Sequence, residues 1–207
     1  MLSALPARAI AGARRVLEIG GGIGALQAEL LLRGADTGEV IELLGVYEPY
    51  ARRLAERLGI ADRTTFRVAD VIDAPEQAEA ADIVLMNRVV CCSADGVRLT
   101  EVAADLARGA LVLSHPRYLR VLRWAARFQE PLARLFRRRY RFYIHPRTAI
   151  HRAASSTGMS LFATWHGAFW EYSVFTRPGW GGNSALHTSD GANPIGARHV
   201  DLGGRPL

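Results

Sequence analysis

Lysine is missing from this chain of 207 residues, so all 26 of its basic residues are arginine. With abundant Ala, Gly and Leu, that bias matches the codon usage of a GC-rich genome, and the choice of arginine at any one position says little about bidentate chemistry. Cysteine is almost absent, and its two copies, Cys91 and Cys92, are adjacent. Neighbours in sequence cannot close an ordinary disulfide loop, which removes any argument for a disulfide-stapled exported scaffold. No apolar run approaches the ~18 to 20 residues of a membrane span, and no signal peptide is read before Pro6, so the expected compartment is the cytoplasm. What is present is apolar bulk. Hydrophobic residues make up 49% of the chain, enough for one domain with a proper core.

The most informative stretch is Val16 to Leu32, VLEIGGGIGALQAELLL. Val16, Leu17 and Ile19 read as a short buried strand. Gly20, Gly21, Gly22 and Gly24 form a turn in which the backbone can approach a ligand, and Ala25, Leu26, Ala28, Leu30 and Leu31 continue at helical spacing. A ligand is expected on the free N–H groups that open this helix. Two ligand classes use such a turn. Gly20, Gly22 and Ala25 satisfy the G-x-G-x-x-G/A pattern of dinucleotide binders, a weak signal by itself. Glu18, two residues before the first glycine, would repel a pyrophosphate but would gain Coulomb energy beside an ammonium and a sulfonium.

Further along, strands and helices alternate. Short strands are expected at 39–43, 64–69, 82–86 and 110–114. Between them lie a helix striped by Tyr47, Tyr50, Leu54 and Leu58 and closed by Gly59, a helical link over 74–81, and a helix over 95–108 capped by Ser93 or Asp95. After a helix from Pro146 to Ser156, two strands, 159–165 and 169–176, are joined by a hairpin-length connection. This pattern predicts an α/β, Rossmann-like, doubly wound, mostly parallel seven-stranded sheet with an antiparallel terminal hairpin. The domain is expected to span residues 1–176, followed by a Gly- and Pro-rich disordered tail over 177–207.

Residues 117–143 interrupt the alternation as a helical insertion. Between Arg117 and Arg147 there are ten arginines against one acid, Glu130. Three readings stay open for it: a solvated basic face, a funnel or lid for an anionic small-molecule substrate, or contact with a membrane surface through Trp124, Phe128, Leu132 and Phe136. Nucleic acid is not an expected partner, because the basicity is confined to one element and no recognition module is present.

The run Glu18-x-Gly20-x-Gly22-x-Gly24 resembles the first motif of class I S-adenosylmethionine-dependent methyltransferases, and the resemblance extends over roughly residues 14–177. It implies a small-molecule methyltransferase with S-adenosylmethionine as cofactor. Glu18 would help to hold the methionine end. Glu42, closing the second strand, would take the ribose hydroxyls in preference to Glu48. Asp70 and the backbone of Val71 would meet the adenine, with a helix N-cap as the alternative role for Asp70. Asn87 and Arg88 would lie near the methyl group and substrate. The sequence after Asn87 lacks the Asn-Pro-Pro-aromatic pattern of enzymes that methylate nucleobases. The blocks NRVVCC, LVLSHPR and IHP are similar to a bacterial branch of the class, and the insertion is similar to the lid of enzymes acting on magnesium protoporphyrin or quinone precursors. His115 is the first candidate for general base and His145 the second, with Tyr143 as a substrate-orienting group. Only about 14 residues precede the first strand, so cover for the cofactor is expected from an upstream segment or a second subunit of a homodimer. Cys91 and Cys92 read as a buried pair. A soft-metal site would need a further thiol, so no metal site is expected.

Overall fold

Five segments, four of them largely apolar and each bounded by a turn signal, form the parallel half of the sheet. They are β1 (Arg15–Ile19), β2 (Thr37–Glu42), β3 (Thr64–Val68), β4 (Ala81–Asn87) and β5 (Ala107–Pro116). The computed structural model describes residues 1–117 and 142–180. The expected helices of the 117–143 insertion, apart from its ends, and the tail from residue 181 onward lie outside the described residues.

Helices cover both faces, as strands buried on two sides require. On one face lie α1 (Ala7–Ala11), α2 (Ala25–Leu32) and α3 (Glu48–Arg57), packed through Ile10, Leu30, Leu31 and Ala55 against Val16, Ile83, Leu85 and Val112. On the other, α4 (Gly96–Leu106) and α5 (Arg147–Ser156) bury Leu99, Val102 and Ile150 against Leu17, Val84, Met86, Leu111 and Leu113. Asp95 is the α4 cap, its carboxylate accepting from Arg98 N at 2.9 Å. Among the described residues, no helix is long and apolar enough to cross a membrane.

The sheet order is β3-β2-β1-β4-β5-β7-β6, with β6 (Ser160–His166) and β7 (Trp170–Thr176) joined as an antiparallel hairpin. β7 inserts between β5 and β6 and runs antiparallel to β5, pairing His115 with Glu171 and Ser114 with Tyr172. Because it runs backwards, its amino end arrives at the same edge as the carboxyl ends of β1 to β5.

Three local expectations fail. The face that α3 buries is Ala51 and Ala55, one turn apart, while Tyr50 is 57% exposed and Leu58 is also exposed. Two small side chains a turn apart are enough to seat the helix, so the bulkier tyrosine stripe turns outward. Residues 74–81 contain only a 3-10 turn, Pro75–Gln77, with Ala78 already extended. Arg177 to Trp180, assigned to the tail, dock on the domain. Arg177 donates to the carbonyls of Ala107 at 3.0 Å, Ala104 at 3.1 Å and Thr157, and Trp180 packs against Gly109.

Arg177 therefore ties the end of α4, the start of β5 and the turn after α5 together with charge-assisted bonds. Replacing it with alanine is expected to cost about 2 to 3 kcal/mol, measured as a lowered denaturant midpoint with an unchanged slope.

Candidate functional site

The carboxyl edge of the sheet gathers the ends of β1 to β5, and there the glycine loop follows β1. Gly20, Gly22 and Gly24 all have positive φ, but a Cβ on Gly20 would strike Val89 Cγ2 at 2.2 Å and one on Gly24 would strike Val40 Cγ2 at 2.7 Å. Those two glycines make room for the protein's own side chains. Gly22, at φ +57°, has nothing within 4 Å of the Cβ position, so it alone of the three opens onto free space.

Glu18 lies behind this loop rather than in the open. It is 2% exposed, and a Cβ on Gly21 would come within 2.6 Å of its Cγ. Its Oε2 accepts from Gln27 N at 2.9 Å, and Leu26 N also donates to the carboxylate. Glu18 thus caps α2 in place of a side chain at the N-cap itself, where Gly24 stands. This corrects the expectation that a ligand rests on the N–H groups opening that helix: the protein's own carboxylate already occupies them. A pyrophosphate would meet N–H groups that already have a partner. Burial pushes the Glu18 carboxyl up to about 7, against the opposing pull of the Gln27 and Leu26 N–H groups.

Glu42 spans the crevice between β2 and the loop. Its Oε2 accepts from Gly22 N at 3.0 Å, and its Oε1 accepts from Leu43 N at 2.8 Å and Leu44 N at 3.3 Å. Glu48 instead opens α3 and pairs with Arg52 at 3.4 Å, outside this crevice. Asp70 Oδ1 accepts from Ile72 N at 2.9 Å in a local turn; no helix follows it to be capped, and the Val71 side chain is buried. Around these acids Ile23, Leu43, Leu44, Val46 and Val68 are exposed apolar residues, which the sequence reading did not single out.

At the end of β4, Asn87 and Arg88 are tied to β5 through Ser114, also missed from sequence. Ser114 Oγ donates to Asn87 Oδ1 at 2.9 Å and accepts from Arg88 N at 2.8 Å. Arg88 has φ +59°, the sole non-glycine positive φ among the described residues, and its guanidinium lies 5.1 Å from the Trp170 ring centroid. Left-handed backbone costs an L-residue about 1 to 2 kcal/mol, and such outliers cluster at functional sites.

The two candidate bases lie elsewhere. His115 was expected to face the cofactor from the sheet edge, but it is 1% exposed and turned onto the α5 face, opposite its neighbour Ser114, because successive strand side chains alternate. His145 Nε2 lies 3.0 Å from the Ser93 carbonyl, so Nε2 carries the proton and Nδ1 the lone pair. Tyr143 stacks on His145, and its N–H donates to the Cys91 carbonyl at 2.8 Å. Cys91 is buried and Cys92 exposed, with their sulfurs 3.9 Å apart.

No protein-family model matches the chain, and no curated protein matches it significantly. Solved structures do. An O-methyltransferase family protein from Burkholderia thailandensis superposes with a TM-score of 0.67 at 20% identity, over 82% of this chain and 52% of that one. This chain thus spans about half the length of that protein. Magnesium protoporphyrin IX methyltransferase from Synechocystis PCC 6803, solved with bound S-adenosylhomocysteine, gives 0.64 at 19% identity, over 81% and 75% of the two chains. A 4+2 cyclase gives 0.62 at 13% identity, over 83% and 80%. The fold is that of the class I methyltransferases.

A buried carboxyl raised from 4.5 to about 7 binds its proton more tightly folded than unfolded. Its stabilising contribution is full below pH ~4.5 and is lost as pH rises toward 7, a change of roughly 3 kcal/mol. Glu18→Gln should flatten that part of the profile. Urea midpoints at pH 5 and pH 8 check this: the wild type should fall further between them than the variant, and parallel profiles would refute the assignment.

Proposed function

We propose that this protein is an S-adenosylmethionine-dependent methyltransferase acting on a small molecule. The observation that carries the reading is the Glu18 cap. By occupying the α2 N–H groups with a carboxylate, it turns the loop from a phosphate cradle into one that favours a cation, as the ammonium and sulfonium of this cofactor require. Glu42, held by three backbone N–H groups, retains acceptor capacity for ribose hydroxyls. The exposed apolar rim of Leu43, Leu44 and Val68 suits a flat base, with Asp70 beside it. Asn87 and Arg88 would lie near the methyl group, and Arg88 over Trp170 would suit an acidic or aromatic acceptor.

Methyl transfer is an in-line displacement at carbon, in which the acceptor's lone pair forms the new bond as the carbon–sulfur bond breaks. The protein's main contribution is alignment at the edge where these residues meet. The Nδ1 lone pair of His145 is the better placed of the two histidine candidates to take a proton, since His115 is enclosed. A second reading, a cofactor-binding fold without methyl transfer, draws on one observation: the fold also serves the cyclase, so fold does not by itself dictate reaction.

Calorimetry with S-adenosylhomocysteine and NAD separates the cofactor classes. S-adenosylhomocysteine should bind, more tightly at pH 8 than at pH 6, with a proton released to solvent near pH 7 as the charge of the ammonium favours the ionised Glu18. Gly22→Val should abolish binding without unfolding the protein, and Glu42→Ala should weaken it by ~1 to 3 kcal/mol while Glu48→Ala changes little. Tight NAD binding with no response to S-adenosylhomocysteine would overturn the reading. Formation of S-adenosylhomocysteine from the methyl donor and an acceptor mixture distinguishes transfer from silent binding.

A further inference from the structure

Glu171 is a buried carboxylate at the amino end of β7, far in sequence from every motif discussed above. The register places His115 and His166 on either side of it, across the strand pairs β5–β7 and β6–β7. Arg147 and His151, four residues apart on α5 and so on one helix face, close over the row. Glu171 Oε2 is 3.2 Å from His166 Nε2. Around Oε1 lie Arg147 Nε at 2.6 Å, His151 Nε2 at 3.2 Å and His115 Nε2 at 3.8 Å, yet none is aligned as a hydrogen bond.

The protonation pattern makes this arrangement unusual. His115 Nδ1 lies 3.1 Å from the Pro116 carbonyl, so its proton is on Nδ1 and Nε2 presents a lone pair. That lone pair faces Glu171 Oε1 in a buried place, and both atoms lack a hydrogen-bond partner. Two acceptors facing each other away from water repel unless a positive centre lies beside them, and in the free protein that centre is the Arg147 guanidinium, 2.6 Å from Oε1. An imidazole nitrogen with its lone pair turned toward a carboxylate oxygen is the pairing a metal ion takes up, and His115 Nε2 and Glu171 Oε1 stand in that relation 3.8 Å apart.

We propose that His115, His151 and Glu171 form a site for one divalent cation of the zinc type. The three ligand atoms lie within 4.8 Å of one another, and two of the separations, 3.2 and 3.8 Å, bracket the ~3.3 to 3.6 Å edge of a tetrahedron with zinc-like bonds. The Pro116 carbonyl on His115 Nδ1 and His166 on the second carboxylate oxygen are the outer contacts that orient such ligands. His151 gives up its contact with Ser173 Oγ, at 3.1 Å, to turn its lone pair inward. Arg147, whose side chain is 42% exposed, holds the carboxylate in the free protein and swings to solvent when the ion enters. With three protein ligands, a fourth position stays open for a water or an anionic oxygen. This site does not depend on the cofactor reading.

The test uses the full chain without a histidine tag, titrated with Co2+ alone and followed by its visible d–d absorption, then by displacement with Zn2+. One Co2+ per chain, in tetrahedral geometry, is expected. His151→Ala and Glu171→Gln should each weaken binding tenfold or more, and Arg147→Gln should strengthen it, because the competing guanidinium is gone. Thermal melts establish that each variant is folded; Arg147→Gln alters a side chain that is 42% exposed and keeps the test decisive if His151→Ala or Glu171→Gln unfolds. Absence of uptake by the wild type would overturn the proposal. So would uptake unchanged in His151→Ala, weaker uptake in Arg147→Gln, or a thiolate charge-transfer band that disappears in a variant with serine at both 91 and 92.

Discussion

A single buried carboxylate, Glu18 against the first turn of α2, sets the character of the whole ligand edge. It neutralises the positive end of the helix dipole, fixes the loop over itself through Gly21, and leaves negative potential where a phosphate-binding turn would offer positive. Charging it is costly in solvation terms, and the helix N–H groups offset only part of that cost, so the carboxyl rises to about 7. From that constraint follow the absence of a Cβ at Gly21, the projection of Gly22 into the crevice, and the reach of Glu42 from β2 to meet it.

Much of this was legible in the sequence, because it depends on local chemistry. The five parallel strands stand within about three residues of where apolar runs and turn residues placed them, since the central runs must be buried on both faces and the edge strand β3 is marked off by its β-branched residues. That Glu42 ends a strand and Glu48 opens a helix followed from the same logic. What the sequence could not convey was direction. The glycine pattern alone does not say which Cβ positions face a ligand and which face Val89 or Val40. Nor does the α3 pattern say that two alanines outrank two tyrosines at the sheet.

The histidine and glutamate cluster was illegible for a different reason. Its members come from β5, α5, β6 and β7, and no spacing in the chain links them. His115 was noticed for its position after a strand, yet strand alternation sends it to the opposite face from Ser114. Only the cross-strand register and the i, i+4 pair on α5 converge these groups on Glu171. Ser114 was overlooked for a similar reason: its role is to brace Asn87 and Arg88 on the neighbouring strand.

The placement of β7 between β5 and β6 also bears on how the protein emerges during synthesis. Among the described strands, the one that fills this interior slot is made last, so until residue 176 has cleared the ribosome a nascent chain carries β5 with an unpaired edge and β6 with no neighbour at all. The cooperative unit cannot close vector-fashion from its amino terminus, and late non-local pairing of this kind slows folding and lengthens exposure of an aggregation-prone edge. Arg177 and Trp180, immediately downstream, then act as a latch that engages only once the final strand is seated.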